Sequence, residues 1–424
     1  MHKADLKHND AALEAKLETI YQLRRTRSKI NWDRGQYLEL LEKFGNPHLN
    51  LPPVIHVAGT NGKGSIIALL RAMLEAGRLK VHCYTSPHLI NVNERIYLAG
   101  ENIDNNYLEQ LIDQALAYNS GSPLSFFEIT TALAFKAFSD VPADILLLEV
   151  GMGGRLDCTN VIEEPLATII NRISLDHTEF LGDNVMDIAK EKAGIMKRDI
   201  PCIVGYQGND EVIKTLENAA KLSGAITYIN GNAWDIKQVE GSMIFSYNGE
   251  EHRFPLPSLQ GAHQVQNAGV ALATLFSIND KVKITNQAIS KGLTSVQWQG
   301  RLQKLSFNGT EIWLDCGHND SAGEVLSEQI KQWDRPVHLI MGMLDKKDAN
   351  GFLRPLLPLV KSINIVPISF NSNTKSKEDI EASIEINEYD SFIEAVESIS
   401  LRDPKTIILI VGSVYLAGEV LNYL

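Results

Sequence analysis

Only four cysteines occur in 424 residues, and Cys83, Cys158, Cys202 and Cys316 are widely spaced with no Cys-x-x-Cys pair. That spacing excludes a disulfide-framed scaffold and argues against a structural zinc site. No apolar run approaches the ~18 residues that a membrane-crossing helix needs. Positive charge is in deficit: Lys plus Arg is 40 against 52 for Asp plus Glu, a formal charge of −12. The deficit disfavours a general nucleic-acid binder, although a local basic pocket for an anionic substrate remains compatible with it. The opening residues, Met-His-Lys-Ala-Asp-Leu-Lys-His-Asn-Asp, are too polar for a secretory signal peptide, so a cytoplasmic location without a membrane partner is expected. There is no internal repeat and no low-complexity segment. One basic cluster, Arg24, Arg25, Arg27 and Lys29, reads as a solvated helix face, with contact to an acidic substrate as the sharper alternative.

What is present is an ordinary globular composition, 44% apolar and 22% charged, in a chain long enough for two or three domains. Residues 13–44 carry a helical pattern that ends near Gly45-Asn46-Pro47. Val54–Ala58 is a short apolar strand, Ile66–Ala76 a helix closed by Gly77, and Leu79–Tyr84 the next strand. Asp144–Val150 and Leu166–Ile170 are continuous apolar runs. Such runs alternating with helical segments predict a mostly parallel sheet with helices on both faces. Beyond residue 200 the pattern loosens. Met243–Tyr247 and His252–Leu256, joined through Asn248-Gly249, predict a β-hairpin. From 311 onward, strand-like and helical segments alternate again, enough for a smaller Rossmann-like α/β domain. The expected division is 1–296 and 297–424.

The segment between the first strand and its helix reads Gly59-Thr60-Asn61-Gly62-Lys63-Gly64-Ser65. In such a turn, backbone N–H groups point inward at phosphate oxygens and the helix dipole favours the anion. Lys63 is placed to reach β- and γ-phosphates. The spacing departs from the common Gly-x4-Gly-Lys-Ser/Thr form, with two residues between Gly59 and Gly62 and Gly64 after the lysine. An acid at the end of a buried strand, Glu149, is costly unless paired or bound to a cation. Ser86 and Asp176-His177 follow other strands by a few residues. Ligands in open α/β sheets bind at the carboxyl ends of strands, so Ser86, Glu149 and His177 are candidate ligands for one magnesium ion. A structural loop histidine is the competing reading of His177.

Taken together these residues resemble the Mur ligase superfamily, most closely its folate branch, the folylpolyglutamate and dihydrofolate synthases. The resemblance rests on His-Val-Ala-Gly-Thr-Asn-Gly-Lys-Gly-Ser (56–65), Thr-Ser-Pro-His-Leu (85–89), Asn-Glu-Arg-Ile (93–96), Phe-Phe-Glu-Ile-Thr (126–130), Leu-Glu-Val-Gly-Met-Gly-Gly-Arg-Leu-Asp-Cys-Thr-Asn (148–160), Leu-Asp-His-Thr (175–178), Glu-Lys-Ala-Gly-Ile (191–195), His-Gln-Val-Gln-Asn-Ala (263–268), Gly-Arg-Leu (300–302), Leu-Asp-Cys-Gly-His-Asn (314–319) and Gly-Ser-Val-Tyr-Leu-Ala-Gly-Glu-Val (412–420). It implies a P-loop-type central domain with a helical N-terminal segment and a Rossmann-like C-terminal domain. It implies ATP and two magnesium ions as cofactors, with a monovalent cation as a further candidate. Ser86, Glu149 and His177 are the implied magnesium ligands. Lys192 is the implied carbamylated lysine, helping to hold the second ion; on its residues alone it would read as a helix-end lysine facing the dipole.

The resemblance further implies catalytic roles for Lys63, His177, Lys192 and His318, and nucleotide contacts for residues 59–65, Asn267, Arg301 and Asp315. Phe126, Phe127 and Glu128, with Arg155, Leu156 and Asp157, are the implied pterin pocket: Phe127 stacks on the flat ring and Asp157 bonds its amino group. A core role is the alternative for Phe127. Two departures stand out. Gln299 replaces the proline usual before Gly-Arg, and Cys316 and Asp320 replace residues of the common Asp-Gly-Ala-His-Asn-Pro loop.

The implied activity joins L-glutamate to dihydropteroate and to the γ-carboxylate of reduced folates, through an acyl phosphate, in a monomer. Folylpolyglutamate synthesis alone is one alternative. A P-loop ATPase switch is a second, from a different class. A peptidoglycan-type ligase is disfavoured because only 58 residues precede Gly59, too few for a separate nucleotide-sugar domain.

Overall fold

The computed structural model describes residues 6–23, 34–369 and 373–424. The basic cluster Arg24–Lys29 lies outside the described residues. The chain forms two compact units. The larger holds His8–Ser258 and Val265–Val296. The smaller holds Gln297–Leu424 together with Leu259–Gln264 and, near the amino end, residues 6–7. The short 259–264 segment thus leaves the continuous 1–296 block expected from sequence.

The larger unit is built on strands β1 (Val54–Ala58), β2 (Val81–Tyr84), β3 (Ile96–Leu98), β4 (Glu101–Asn102), β5 (Ile145–Glu149), β6 (Ala167–Ile170), β7 (Pro201–Val204) and β8 (Ile226–Ile229). Their order is β4-β3-β2-β5-β1-β6-β7-β8. The run β2-β5-β1-β6-β7-β8 is parallel, and β3 and β4 add antiparallel strands at one edge. Every residue of β1 and β5 is buried, because helices cover both faces; this is why these strands read as apolar runs, interrupted only by His56 in β1 and closed by Glu149 in β5. The helix Lys63–Ala76 buries Ile66, Ile67, Leu69, Leu70, Met73 and Leu74. It packs on the helix Asn286–Ser295, where a side chain at Gly292 would collide with the Met73 backbone. Strands β7 and β8 fall where the sequence pattern weakens; β8 reads Ile-Thr-Tyr-Ile and leaves Ile226 exposed.

Within the expected 13–44 helical stretch, the described residues hold the helices Ala11–Gln22 and Gly35–Lys43. Asp10 caps the first through Ala12 and Leu13 N–H groups. The expected hairpin is present as β10 (Ser242–Tyr247) and β11 (Glu250–Pro255), preceded by β9 (Trp234–Val239), which pairs with β10. Asn248 and Gly249 both take positive φ, 50° and 87°, the pairing that a two-residue I′ turn requires. The sheet packs its Phe245 edge-on against Phe276 at 5.2 Å.

The smaller unit contains β12 (Gln303–Phe307), β13 (Thr310–Leu314), β14 (Val337–Met341), β15 (Ser362–Ile365), β16 (Glu385–Glu388) and β17 (Ile407–Val411), in the order β12-β13-β17-β14-β15-β16. All pairs are parallel except the β12–β13 hairpin. Leu339, Met341, Ile363, Leu409 and Val411 meet Phe352 and Leu353 in its core. Among the described residues no helix is long and apolar enough to cross a membrane.

Candidate active site

The turn after β1 closes around its own carbonyls and the neighbouring loop. Gly59 has φ 153° and Gly62 φ 82°. A Cβ on Gly59 would meet the Asn171 side chain at 3.0 Å, and one on Gly62 would run into the Asn171 amide and, at 2.6 Å, Asn267 Oδ1. Both glycines are therefore required by conformation and by space. The Thr60 N–H donates to the Arg172 carbonyl at 2.9 Å, and the Thr60 hydroxyl to the Ser174 carbonyl at 3.1 Å. Asn171, at the carboxyl end of β6, donates to the Asn61 carbonyl at 2.9 Å and to Asn267 Oδ1 at 3.1 Å. Asn171 was not singled out in the sequence; its one signal is a polar residue directly after a buried strand. Gly64 and Ser65 are buried in the first turn of the helix.

Two lysines converge on this turn. Lys63 Nζ donates to the Gly59 carbonyl at 3.1 Å and lies 3.8 Å from Glu149 Oε1. Lys192, on the helix Val185–Ala193, donates from Nζ to the same Gly59 carbonyl at 3.0 Å. It is 5% exposed. Burial, aided by the Lys63 cation, pushes the Lys192 amine down to about 7, against the opposing pull of Asp176 and Asp157. The helix reaches this position because Gly154 has no side chain: a Cβ there would stand 2.7 Å from the Glu191 carbonyl and 2.9 Å from that of Lys192.

Glu149 is 4% exposed, and its Oε2 accepts the Ser86 N–H at 3.1 Å. The two residues meet because β2 and β5 are adjacent and parallel. A buried carboxylate and a serine hydroxyl are hard oxygen donors of the kind magnesium takes while keeping several waters, so this pair fits the ion. His177 begins the short helix Thr178–Leu181 in the left-handed region, φ 53°, with its side chain 45% exposed and Nε2 3.8 Å from Asp176 Oδ2. Among the described residues no group of three or more His, Cys, Asp or Glu side chains forms a cation cage.

The 151–160 loop lies beside this turn. Asp157 is 4% exposed. Its Oδ1 accepts the Thr159 N–H at 3.0 Å and hydroxyl at 2.6 Å, and its Oδ2 the Met152 N–H at 2.9 Å. Burial raises its pKa against the opposing effect of those donors. Arg34 donates to the carbonyls of Asp157 and Asn160 at 3.4 and 3.2 Å, and Tyr37 to that of Cys158 at 3.1 Å. Arg155 is exposed and pairs with Glu191 at 2.8 Å; Leu156 is half-buried. Phe127, half-buried, covers Gly151 so closely that a Cβ there would collide with its ring. Its neighbours differ from it. Phe126 is 2% exposed beneath the Arg95 guanidinium, and Glu128 closes a capping box with Ser125. Both therefore have structural work independent of any ligand.

In the smaller unit Asp315 holds the 300–317 region: Oδ2 accepts the Leu302 N–H at 2.9 Å and Oδ1 the Gly317 N–H at 2.7 Å. Cys316 donates its N–H to Gly300 at 3.0 Å, and His318 Nδ1 lies 3.0 Å from the Cys316 carbonyl. Burial pushes the Cys316 thiol up to about 11. Asn319 caps the helix Asp320–Ile330, and Asp320 adds negative charge where the helix dipole favours it. The loop's departures are thereby accommodated: Cys316 is buried and Asp320 occupies the first helical turn. Arg301 donates to its neighbouring carbonyl, Gly300, at 3.0 Å.

Known proteins share this fold. Residues 57–275 match the Mur ligase middle domain. The chain is 30% identical over 409 residues to a probable dihydrofolate synthetase of Schizosaccharomyces pombe, covering 91% of this chain and 97% of that one. It is 31% identical over 407 residues to a dihydrofolate synthase/folylpolyglutamate synthase of Bacillus subtilis, covering 91% and 93%. Among solved structures, Escherichia coli FolC in complex with DHPP and ADP superposes with a TM-score of 0.87 at 28% identity, covering 96% of this chain and 97% of that one.

Proposed function

This chain belongs to the Mur ligase family, and from that premise we propose that it is an ATP-dependent ligase joining L-glutamate to dihydropteroate and to reduced folates. The observation that carries the reading is the closed Gly59–Ser65 turn with Lys63 held between the Gly59 carbonyl and Glu149. Relatives bear directly on the substrates. The Escherichia coli structure holds DHPP and ADP, and another bifunctional enzyme holds Mn, AMPPNP and L-glutamate.

The chemistry follows from the residues. A carboxylate is a poor acyl donor until its oxygen becomes a good leaving group. Transfer of the γ-phosphoryl group to that oxygen gives an acyl phosphate and ADP. The glutamate amine then attacks the acyl carbon, the amide bond forms, and phosphate departs with the bonding pair. The Gly59–Ser65 turn and the amino end of its helix receive the phosphates, and Lys63 offsets charge on the transferring oxygens. Magnesium, held by Ser86 and Glu149 with His177, supplies further charge neutralisation when bound. Asn267, beside Gly62, is the further nucleotide contact of the larger unit; Arg301, Asp315 and His318 are the smaller unit's own nucleotide-binding candidates.

Lys192 is assigned as a carbamate. A buried amine of lowered basicity is nucleophilic: its nitrogen bonds the carbon of carbon dioxide, a proton leaves, and the lysine becomes an anion suited to a second magnesium ion. A monovalent cation is a further expected component. Phe127 stacks on the pterin ring over Gly151, Asp157 bonds its amino group, and Phe126, Glu128, Arg155 and Leu156 frame the pocket. We take the enzyme to act as a monomer in the cytoplasm, where its ATP is supplied.

ADP release from purified protein tests the reading, with dihydropteroate, tetrahydrofolate or a nucleotide-sugar peptide, each with and without glutamate. Glutamate-dependent release with both pterin acids is expected. Release with tetrahydrofolate alone would reduce the activity to polyglutamylation, and ATP turnover indifferent to glutamate would sink the ligase.

A further inference from the structure

His56 stands in the middle of β1 and is fully buried. Its Nε2 lies 2.8 Å from the Thr159 hydroxyl oxygen, and that hydroxyl in turn donates to Asp157 Oδ1 at 2.6 Å. Thr159 has one hydroxyl proton and it points at the carboxylate, so the oxygen can only accept from the imidazole. His56 is thereby fixed as the neutral Nε2–H tautomer. Two further observations agree. Its Nδ1 is buried with no hydrogen-bond partner, the state of an unprotonated ring nitrogen. Burial, reinforced by the Lys197 cation, holds the ring down to about 3. The chain runs from a strand that precedes the phosphate turn to the carboxylate of the neighbouring loop.

We infer that His56 is a positioning residue for the pterin-bearing substrate, acting through Thr159 to fix the rotamer of the Asp157 carboxylate. The inference rests on the assignment of the 151–157 loop to that substrate. His56 touches neither substrate nor reacting atoms. Its N–H occupies one lone pair of the Thr159 oxygen, which turns the hydroxyl proton away from the ring and toward Asp157 Oδ1. Arg34 and Tyr37 hold the same turn from its other side by its carbonyls. The turn is therefore fixed as backbone by one helix and as carboxylate by one strand.

The test separates position from fold. His56→Leu removes the donor, whereas His56→Gln keeps an N–H able to reach Thr159. Thr159→Val removes the middle of the chain. KM for dihydropteroate should rise about fivefold in His56→Leu and Thr159→Val, the worth of one buried hydrogen bond. KM for ATP and kcat should stay within about twofold, and His56→Gln should restore most of the loss. The nitrogen NMR signals of His56 should show a protonated Nε2 and a bare Nδ1 at neutral pH. An unchanged dihydropteroate KM in both His56→Leu and Thr159→Val overturns the inference, as does an equal rise for ATP. So does a protonated Nδ1, whatever the variants' folding. Wild-type protein inert toward every pterin acid would instead overturn the substrate reading on which the inference stands.

Discussion

Lys192 Nζ and the Gly59 carbonyl oxygen, 133 residues apart in sequence, are joined at 3.0 Å. The bond ties the end of one helix to the first residue of the phosphate turn. It also places a buried amine beside Lys63, and two cations cannot share that volume cheaply. The arrangement disfavours the cationic form of Lys192.

Lys192→Ala is expected to lower glutamate-dependent turnover by about 100-fold or more, as loss of a preorganised electrostatic group does. Added short carboxylates should restore part of it by standing in for the carbamate. Steady-state ADP release with and without acetate or formate is the measurement; near wild-type turnover in the variant would remove the carbamate from the account.

Gly62→Ala should weaken nucleotide binding while leaving the fold intact. The new methyl group would need a left-handed backbone at φ 82° and the space of the Asn171 amide and Asn267 Oδ1. A rise in the ATP KM of at least tenfold is expected, from about 1–3 kcal/mol of strain. Isothermal titration with a non-hydrolysable ATP analogue checks it, and unchanged affinity would contradict the close packing.

Glu149→Gln tests the metal pair. The substitution keeps the size of the side chain and removes the charge that a magnesium ion would meet beside Ser86. Nucleotide binding should lose its magnesium dependence and ADP release should fall at least about 100-fold. A magnesium titration that overlays the wild-type curve would move the ion elsewhere.

Acidification should destabilise the protein through its buried histidines. His56 is held down to about 3 and His263 to about 4, both chiefly by burial; His82 and His88 are lowered by the same cause. Between those values and the ordinary 6.5, the unfolded chain binds protons that the folded chain refuses. Stability therefore rises with pH across that window and is lost as pH falls below about 6.5. Urea midpoints at pH 7, 5.5 and 4.5 should decline in that order, and a flat series would show that these rings are solvated.

Gly154→Ala should cost about 1–3 kcal/mol, since its Cβ would sit 2.7 Å from a carbonyl oxygen of the neighbouring helix. A lower melting temperature accompanied by loss of turnover is the expected pair of readouts. An unshifted melting curve would mean that the loop and helix can separate.

The sequence by itself determined the phosphate turn, the strands β1 and β5 and the hairpin turn at Asn248-Gly249. Each is written in adjacent residues: mostly apolar runs where both faces are covered, glycines where φ is positive. The motifs also named Ser86, Glu149 and Lys192 in advance, without saying how they meet. Tertiary structure decided what those residues do to one another. Parallel pairing of β2 with β5 brings the Ser86 N–H to Glu149, and the bare backbone at Gly154 brings Lys192 to Gly59. Neither is readable from spacing, because both depend on which elements become neighbours. Asn171 and the Arg34, Tyr37 and His56 contacts around Asp157 were illegible for the same reason. An asparagine after a strand or a histidine within one carries no local pattern, and its role exists only once another loop folds against it.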